Sequence, residues 1–270
     1  MRKKILIIVL SIIIVFLTVV LLFSKYVTSH HIKIKEYAII DKKLPSNYHG
    51  LKIVHISDIL YGKSTSMDDV KKMVEKINKL NPDIVVFTGD LFSKYVKPSE
   101  KELNTLKNYL SSIDAKYEKF AIIGDNDKEF KDQFYNTISD SFTILDNEST
   151  LIYIDGDTPI RITGLNNIKK EEIFNKEENF YTILLLHKPD EIEKVKNKYD
   201  VALSGHSIGG QIKIPFYGPL IKLDGAKKYT SGRYEYNDTI LFVNDGIGSQ
   251  NTNMRINNNP KINFYRFYQK

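Results

Sequence analysis

Five apolar stretches of this sequence end in a side chain able to ligate a cation. Ile53–Ser57 runs into Asp58, Val85–Gly89 into Asp90, Ala121–Gly124 into Asp125, Thr182–Leu186 into His187 and Val201–Gly205 into His206. Ligand sites of open α/β sheets lie outside the carboxyl ends of the strands, so five such residues can converge on one crevice. Three carboxylates and two imidazoles form a natural donor set for a hard-to-borderline divalent ion such as Mn, Fe, Zn or Mg. The chain has no cysteine, which excludes thiolate metal sites and disulfides. Taken singly, each residue has a plainer reading, because an Asp after a strand is usually a turn former or a helix cap. The repetition at five strand ends carries the metal reading. His55 differs: it lies inside its apolar run and reads as a packed or hydrogen-bonded sheet residue.

The elements that must position these residues follow from periodicity. LKIVHIS (51–57), DIVVFT (83–88), KFAII (119–123), YTILLL (181–186) and VALS (201–204) are apolar runs of strand length. Met67, Val70, Met73, Val74, Ile77 and Leu80 recur at helical spacing before the Asn81-Pro82 stop, and a second helix is expected over 99–110. Strand, helix, strand in this order predicts right-handed parallel units. TIL, LIYI and IRITG, within 143–164, read as antiparallel hairpins, and further helices are expected near 169–175 and 189–198. Residues 211–268 read as strands and turns. The sum is a layered α/β domain, two sheets face to face with helices outside.

An uncharged run from Ile5 to Phe23 has the length to cross the roughly 30 Å hydrocarbon core. A cleaved signal peptide is the rival, but its apolar core would be shorter, and no small-residue cleavage site follows. Arg2, Lys3 and Lys4 precede the run, which predicts a cytoplasmic tail over 1–4, a spanning helix over 5–23, a tether over 24–33 and a globular domain over 34–270 outside the membrane. The net charge of +6 is dispersed, with no basic stripe interleaved with aromatics, so no nucleic-acid partner is expected.

The ordered blocks SD(58), GD(90), GDND(124–127), HKPD(187–190) and SGHSIGGQ(204–211) resemble the calcineurin-like metallophosphoesterases, whose motifs read D-x-H, G-D, G-N-H-D/E, H and G-H-x-H. HGLKIVHISD, NPDIVVFTGDL, GGQIKIPFYGP and LFVNDGIG add to the likeness, which covers roughly residues 34–270 and is greatest to a membrane-anchored bacterial branch. Members of that branch include a hydrolase of a diacylglucosamine nucleotide pyrophosphate. The resemblance implies a four-layer α/β/β/α sandwich and a pair of metals sharing one bridging Asp, here Asp90. Three positions depart from the motifs: Leu60, Asn126 and Ile208 stand where the family has histidines. Leu60 and Ile208 carry no lone pair, so the first metal, with Asp58, is expected to be missing.

The second metal keeps Asp90, Asp125, His187 and His206, which implies one divalent ion or none. Asn126 cannot act as a proton donor at neutral pH, and loss of a general acid typically costs about 10²–10⁴ in rate. One dication against Asp58, Asp90 and Asp125 leaves a charge of −1, which repels phosphate unless a lysine compensates. With no metal at all, one carboxylate would hold a proton or a lysine would enter the cluster, Lys63, Lys128 and Lys188 being the candidates, while Tyr61, Asn244 and Asp245 are candidates to replace lost ligands. The expected function is phosphoester or pyrophosphate hydrolysis with a reduced or altered site. The alternative is an inactive module binding a phosphorylated lipid, nucleotide-sugar, wall polymer or protein.

Overall fold

A computed structural model describes residues 2–94, 96–166, 168, 180–195, 199–250 and 252–270. In chain order its first half contains α1 (Arg2–Tyr26), β1 (Lys33–Asp41), β2 (Lys52–Ile56), α2 (Met67–Asn78), β3 (Ile84–Phe87), α3 (Glu100–Ser111), β4 (Glu118–Ala121), α4 (Lys131–Ile138) and β5 (Thr143–Ile144). The second half contains β6 (Glu148–Ile152), β7 (Ile160–Leu165), β8 (Tyr181–Leu186), β9 (Val201–Ser204), β10 (Lys213–Ile214), β11 (Gly218–Pro219), β12 (Gly232–Tyr236), β13 (Thr239–Val243) and β14 (Lys261–Gln269).

Two six-stranded sheets result, ordered β1-β14-β2-β3-β4-β5 and β12-β13-β9-β8-β7-β6. Alternation along the strands explains the layers. In β2 and β3, Val54, Ile56, Val85 and Phe87 face Val70, Met73, Leu106, Leu110 and Phe134 of the helices. Their neighbours Ile53, Ile84 and Val86 face the opposite sheet, where Ile162, Ile183, Leu185, Val201 and Leu203 meet them. Beyond the second sheet, Leu184, Leu186, Ala202 and Leu241 pack against Ile192 and Tyr199. The expected mixed-sheet α/β sandwich is therefore present.

α2 and α3 start where polar chemistry allows. Ser66 and Asp69, and Ser99 with Glu102, form reciprocal capping boxes that satisfy amide groups orphaned in the first turn. Several expectations need correction. TIL does not join a hairpin: Thr143–Ile144 pairs parallel with Phe120–Ala121 at the edge of the first sheet, and only β6 and β7 form the antiparallel pair. Between β4 and β5 lies α4, whose Phe134 and Ile138 enter the helix-side core. The turn starting at Pro189 is 3-10 and spans Pro189–Lys194; residues 169–175 lie outside the described residues.

α1 is long and apolar enough to cross a membrane, and its apolar residues are exposed. The segment expected as a tether is seated on the domain. Ser29 is buried, donates to Ser24 O and accepts from Arg255 N; Asn259 Nδ2 donates to Thr28 O, and His30 pairs with Asp69 at 2.9 Å. Ile32 enters the helix-side core.

Candidate metal centre

The strand-end residues are held by loops of unusual conformation. Asp58, Leu60, Asp90, His206 and Ile208 all have φ between +49° and +63°. Non-glycine residues in this region cost of order 1–3 kcal/mol each and persist only where surrounding contacts enforce them. Two loops, after β3 and β4, cross in direct backbone contact: a Cβ on Gly124 would collide with Asp90 and its amide, so only glycine fits. The loop after β9 approaches β2 as closely, since a Cβ on Gly205 would overlap Ser57 Oγ and lie 2.6 Å from Asp58 Oδ2. Gly205→Ala is expected to cost about 1–3 kcal/mol by overpacking and to weaken metal uptake by pushing His206 outward. A urea midpoint and metal titration equal to those of the unaltered chain would sink this.

Three of the five predicted ligands meet. Among the described residues, donor atoms of Asp90, His187 and His206 lie within 4.8 Å of one another, all buried. His187 Nε2 is 3.4 Å from Asp90 Oδ2 and 3.2 Å from His206 Nδ1. The other ring nitrogens are spent on backbone carbonyls: His187 Nδ1 donates to Thr88 O at 2.8 Å, and His206 Nε2 to Asp224 O at 2.8 Å. These two bonds fix the tautomers, so in their neutral forms both imidazoles aim a lone pair at the same point. Asp90 adds a third. Its Oδ1 accepts from Asn126 N at 2.8 Å, whereas its Oδ2 is buried without a hydrogen bond.

Three acceptors facing one another require a cation between them. A proton is one solution: burial pushes the His187 imidazole down, but the Asp90 carboxylate beside it, helped by Asp58, raises it to about 10. His206 is driven the other way, to about 4, by burial and by the charge on His187. A divalent metal is the other solution, and the donor set fits it: two imidazoles whose second nitrogens are bonded to carbonyls, and one carboxylate oxygen without a hydrogen bond.

Asp58 stands immediately behind this group. Its Oδ2 accepts from His206 N at 2.8 Å, its Oδ1 is buried and unpaired, and burial raises its pKa. Asp125 is positioned differently. One oxygen pairs with Lys128 at 2.9 Å and the other with Lys188 at 2.7 Å, and these two ammonium groups hold it well below the usual carboxylate range against the opposing effect of burial. It stands outside the three-residue group. Two of the three lysines considered from sequence thus enter the cluster, turning the −1 reckoned for one dication and three carboxylates into +1.

Asn126 lines a cavity of about 100 Å³ together with Leu60, Lys63, Ser93 and Gln250. Ile208 is buried, and its carbonyl accepts from Asn258 Nδ2 at 2.8 Å. None of Tyr61, Asn244 and Asp245 joins the three-residue group: Tyr61 donates to Glu102, Asn244 spans His55 O and Gly246 N, and Asp245 pairs with Lys213 and Lys261. His55 is a satisfied sheet residue, bonded to Thr88 Oγ1 and Tyr265 and lowered to about 3 by burial.

Asp127 was not singled out by sequence. It is fully buried and accepts from Asp90 N, Leu91 N and Gly124 N at 2.7, 2.8 and 2.9 Å, clamping the loop after β3 to the loop after β4. Its signal lay in the last letter of the GDND block, which matches the family's D/E.

A model of the calcineurin-like phosphoesterase family matches residues 51–210. An uncharacterized metallophosphoesterase of Bacillus subtilis, YkuE, is 29% identical, covering 90% of this chain and 88% of its own. The UDP-2,3-diacylglucosamine pyrophosphatase LpxG of Chlamydia muridarum is 28% identical, covering 77% of this chain and 82% of its own. Among solved structures, Haemophilus influenzae NAD nucleotidase aligns with a TM-score of 0.48 at 15% identity over 74% of this chain and 46% of that one.

Proposed function

Because the chain belongs to the calcineurin-like phosphoesterase family, we propose that it binds one divalent metal at Asp90, His187 and His206 and hydrolyses a phosphoester or pyrophosphate at a membrane surface. The observation that carries this reading is the pair of imidazoles bonded through one nitrogen each to Thr88 O and Asp224 O, with their other nitrogens and an Asp90 carboxylate oxygen gathered within 4.8 Å of one another. When bound, the metal supplies Lewis acidity for a phosphoryl oxygen and for the attacking water.

The chain's own residues set the rest. Asn126 N holds Asp90 Oδ1 and so turns Oδ2 toward the histidines. Lys188 and Lys128, anchored on Asp125, make the rim attractive to an anion. The cavity beside Leu60 and Asn126, with Lys63 on its wall, accepts the group next to the scissile bond. Asn126 orients but delivers no proton, so turnover is slow. The likeness to LpxG, a UDP-2,3-diacylglucosamine pyrophosphatase, supports a lipid-borne pyrophosphate as the substrate class. α1 anchors the domain, with Arg2, Lys3 and Lys4 on the cytoplasmic side and the domain outside.

The replacements at Leu60, Asn126 and Ile208 favour a second reading, a non-catalytic module that binds a phosphorylated envelope component. The full chain in detergent, analysed for metal and assayed with bis-p-nitrophenyl phosphate and Mn, separates the two. About one metal per chain and slow turnover, both lost in His206→Ala, are expected for the enzyme; no metal and no turnover leave the binding module.

Metal uptake is also expected to depend on pH. His187 carries a proton below about 10 in the metal-free site. Binding must displace it, so affinity falls with falling pH, about tenfold per unit near neutrality, with about one proton released per metal. Calorimetry in two buffers of unlike ionisation enthalpy measures that proton; zero release contradicts the assignment.

A further inference from the structure

Among the described residues after α1 and Val27, nine large apolar side chains are exposed, and five lie in or directly after the short hairpin β10–β11: Ile214, Phe216, Tyr217, Leu220 and Ile221. Phe216 is fully exposed and Tyr217 is 77% exposed. Single exposed apolar residues need no explanation, but a cluster of this kind on a lysine-rich surface marks a contact. We propose that this hairpin docks into the phospholipid interface of the bilayer that α1 crosses, and thereby holds the His206 loop at the height of lipid headgroups. The proposal rests on the reading of α1 as a membrane anchor.

Shared mounting argues for this occupant. One segment, 252–259, carries both elements. On one side Arg255 N donates to Ser29 Oγ, and Asn259 Nδ2 to Thr28 O, fixing the end of α1. On the other, Ile256 bridges Ile212, and Lys213 N donates to Ile256 O at the root of the hairpin. The tip at Phe216 lies four residues beyond Ile212, so it reaches no farther than about 14 Å from that root. The chemistry matches an interface as well. Lys25 and Tyr26 close α1 with the cation and aromatic that favour headgroup depth, and an exposed Lys222 follows the apolar run.

Both ends of the hairpin insertion return to the metal centre. It begins after His206–Gln211 and ends at Asp224, whose carbonyl accepts the His206 Nε2 proton. Docked at the interface, the hairpin sets the centre against a headgroup phosphorus, so the substrate class is an amphiphile presenting a phosphoester or diphosphate at the bilayer surface.

The chain has no cysteine, which makes single-site labelling direct. Phe216→Cys, Ile13→Cys and Asp114→Cys, each carrying an environment-sensitive nitrobenzoxadiazole, are reconstituted as full chains into phosphatidylglycerol and phosphatidylethanolamine vesicles with doxyl-labelled lipid. At the roughly 5–10 Å depth of interfacial side chains, the Phe216 probe is expected to lose about half its emission to shallow doxyl groups. Ile13 is quenched by deep groups and Asp114 by neither. Quenching at Ile13 without quenching at Phe216 overturns the docking and leaves the anchor intact. Absence of both overturns the anchor and the docking with it. A Phe216 probe shielded from aqueous iodide yet unquenched by lipid identifies a protein occupant and overturns the bilayer.

Discussion

Asn126→His is expected to raise Mn-dependent phosphodiester turnover by about 10²–10⁴, the usual worth of a positioned general acid, without changing the amount of metal bound. The backbone of residue 126 is already fixed by its bond to Asp90 Oδ1, and its side chain already lines the cavity beside the metal centre. A histidine there starts from the correct backbone and faces the place where a leaving oxygen would sit. Leu60→His with Ile208→His addresses the other deficit. Both positions have positive φ, and Asp58 keeps a buried oxygen without a hydrogen bond. The double variant is expected to bind a second metal, measured by metal analysis of the purified chain, and the triple variant to combine both gains. Equal turnover in Asn126→His and the unaltered chain, with metal loaded in each, would show that proton delivery is not what limits this site.

The second large effect belongs to Asp127. Asp127→Ala leaves three buried amide N–H groups without acceptors, and at 1–3 kcal/mol for each unsatisfied group, after partial relaxation, the loss is about 3–5 kcal/mol. Asp127→Asn keeps the two bonds at Oδ2 and loses the one to Leu91 N, so it is expected to cost about 1–3 kcal/mol. The order Ala worse than Asn, read as urea midpoints from tyrosine near-ultraviolet dichroism, tests the clamp. Metal affinity should fall in the same order, because the clamp sets the distance between Asp90 and the loop that carries Asn126. Identical midpoints in both variants and the unaltered chain would remove Asp127 from this role.

Much of this was legible in the sequence, for a simple reason: apolar runs report buried strands, and a polar residue just past such a run is at the sheet's edge. That logic found Asp58, Asp90, Asp125, His187 and His206. It could not rank them. Asp125 and Asp127 flank the same Asn, and both look like turn carboxylates; yet Asp125 faces Lys128 and Lys188 whereas Asp127 turns inward to three amides. Pairing across loops is a property of the crossing at Gly89 and Gly124, which no local pattern encodes. The same limit explains TIL. Three residues, two of them apolar, fit a hairpin or a parallel edge equally well, and the intervening α4 decides for the edge. The seating of residues 24–32 escaped because Ser29 and His30 look like linker residues until Arg255 and Asp69 come to meet them.

That seating changes how the protein would meet its substrate. A loose leash lets a catalytic head sweep a hemisphere of solution and gather whatever drifts through it. On the proposed anchoring, a head clamped to its own stalk sweeps nothing: it can turn with the stalk but keeps one latitude, and targets in the same membrane would arrive by lateral diffusion in that plane. Encounter then scales with the number of target molecules per unit area rather than per unit volume. Diluting the vesicles at fixed lipid composition should leave the rate per chain unchanged.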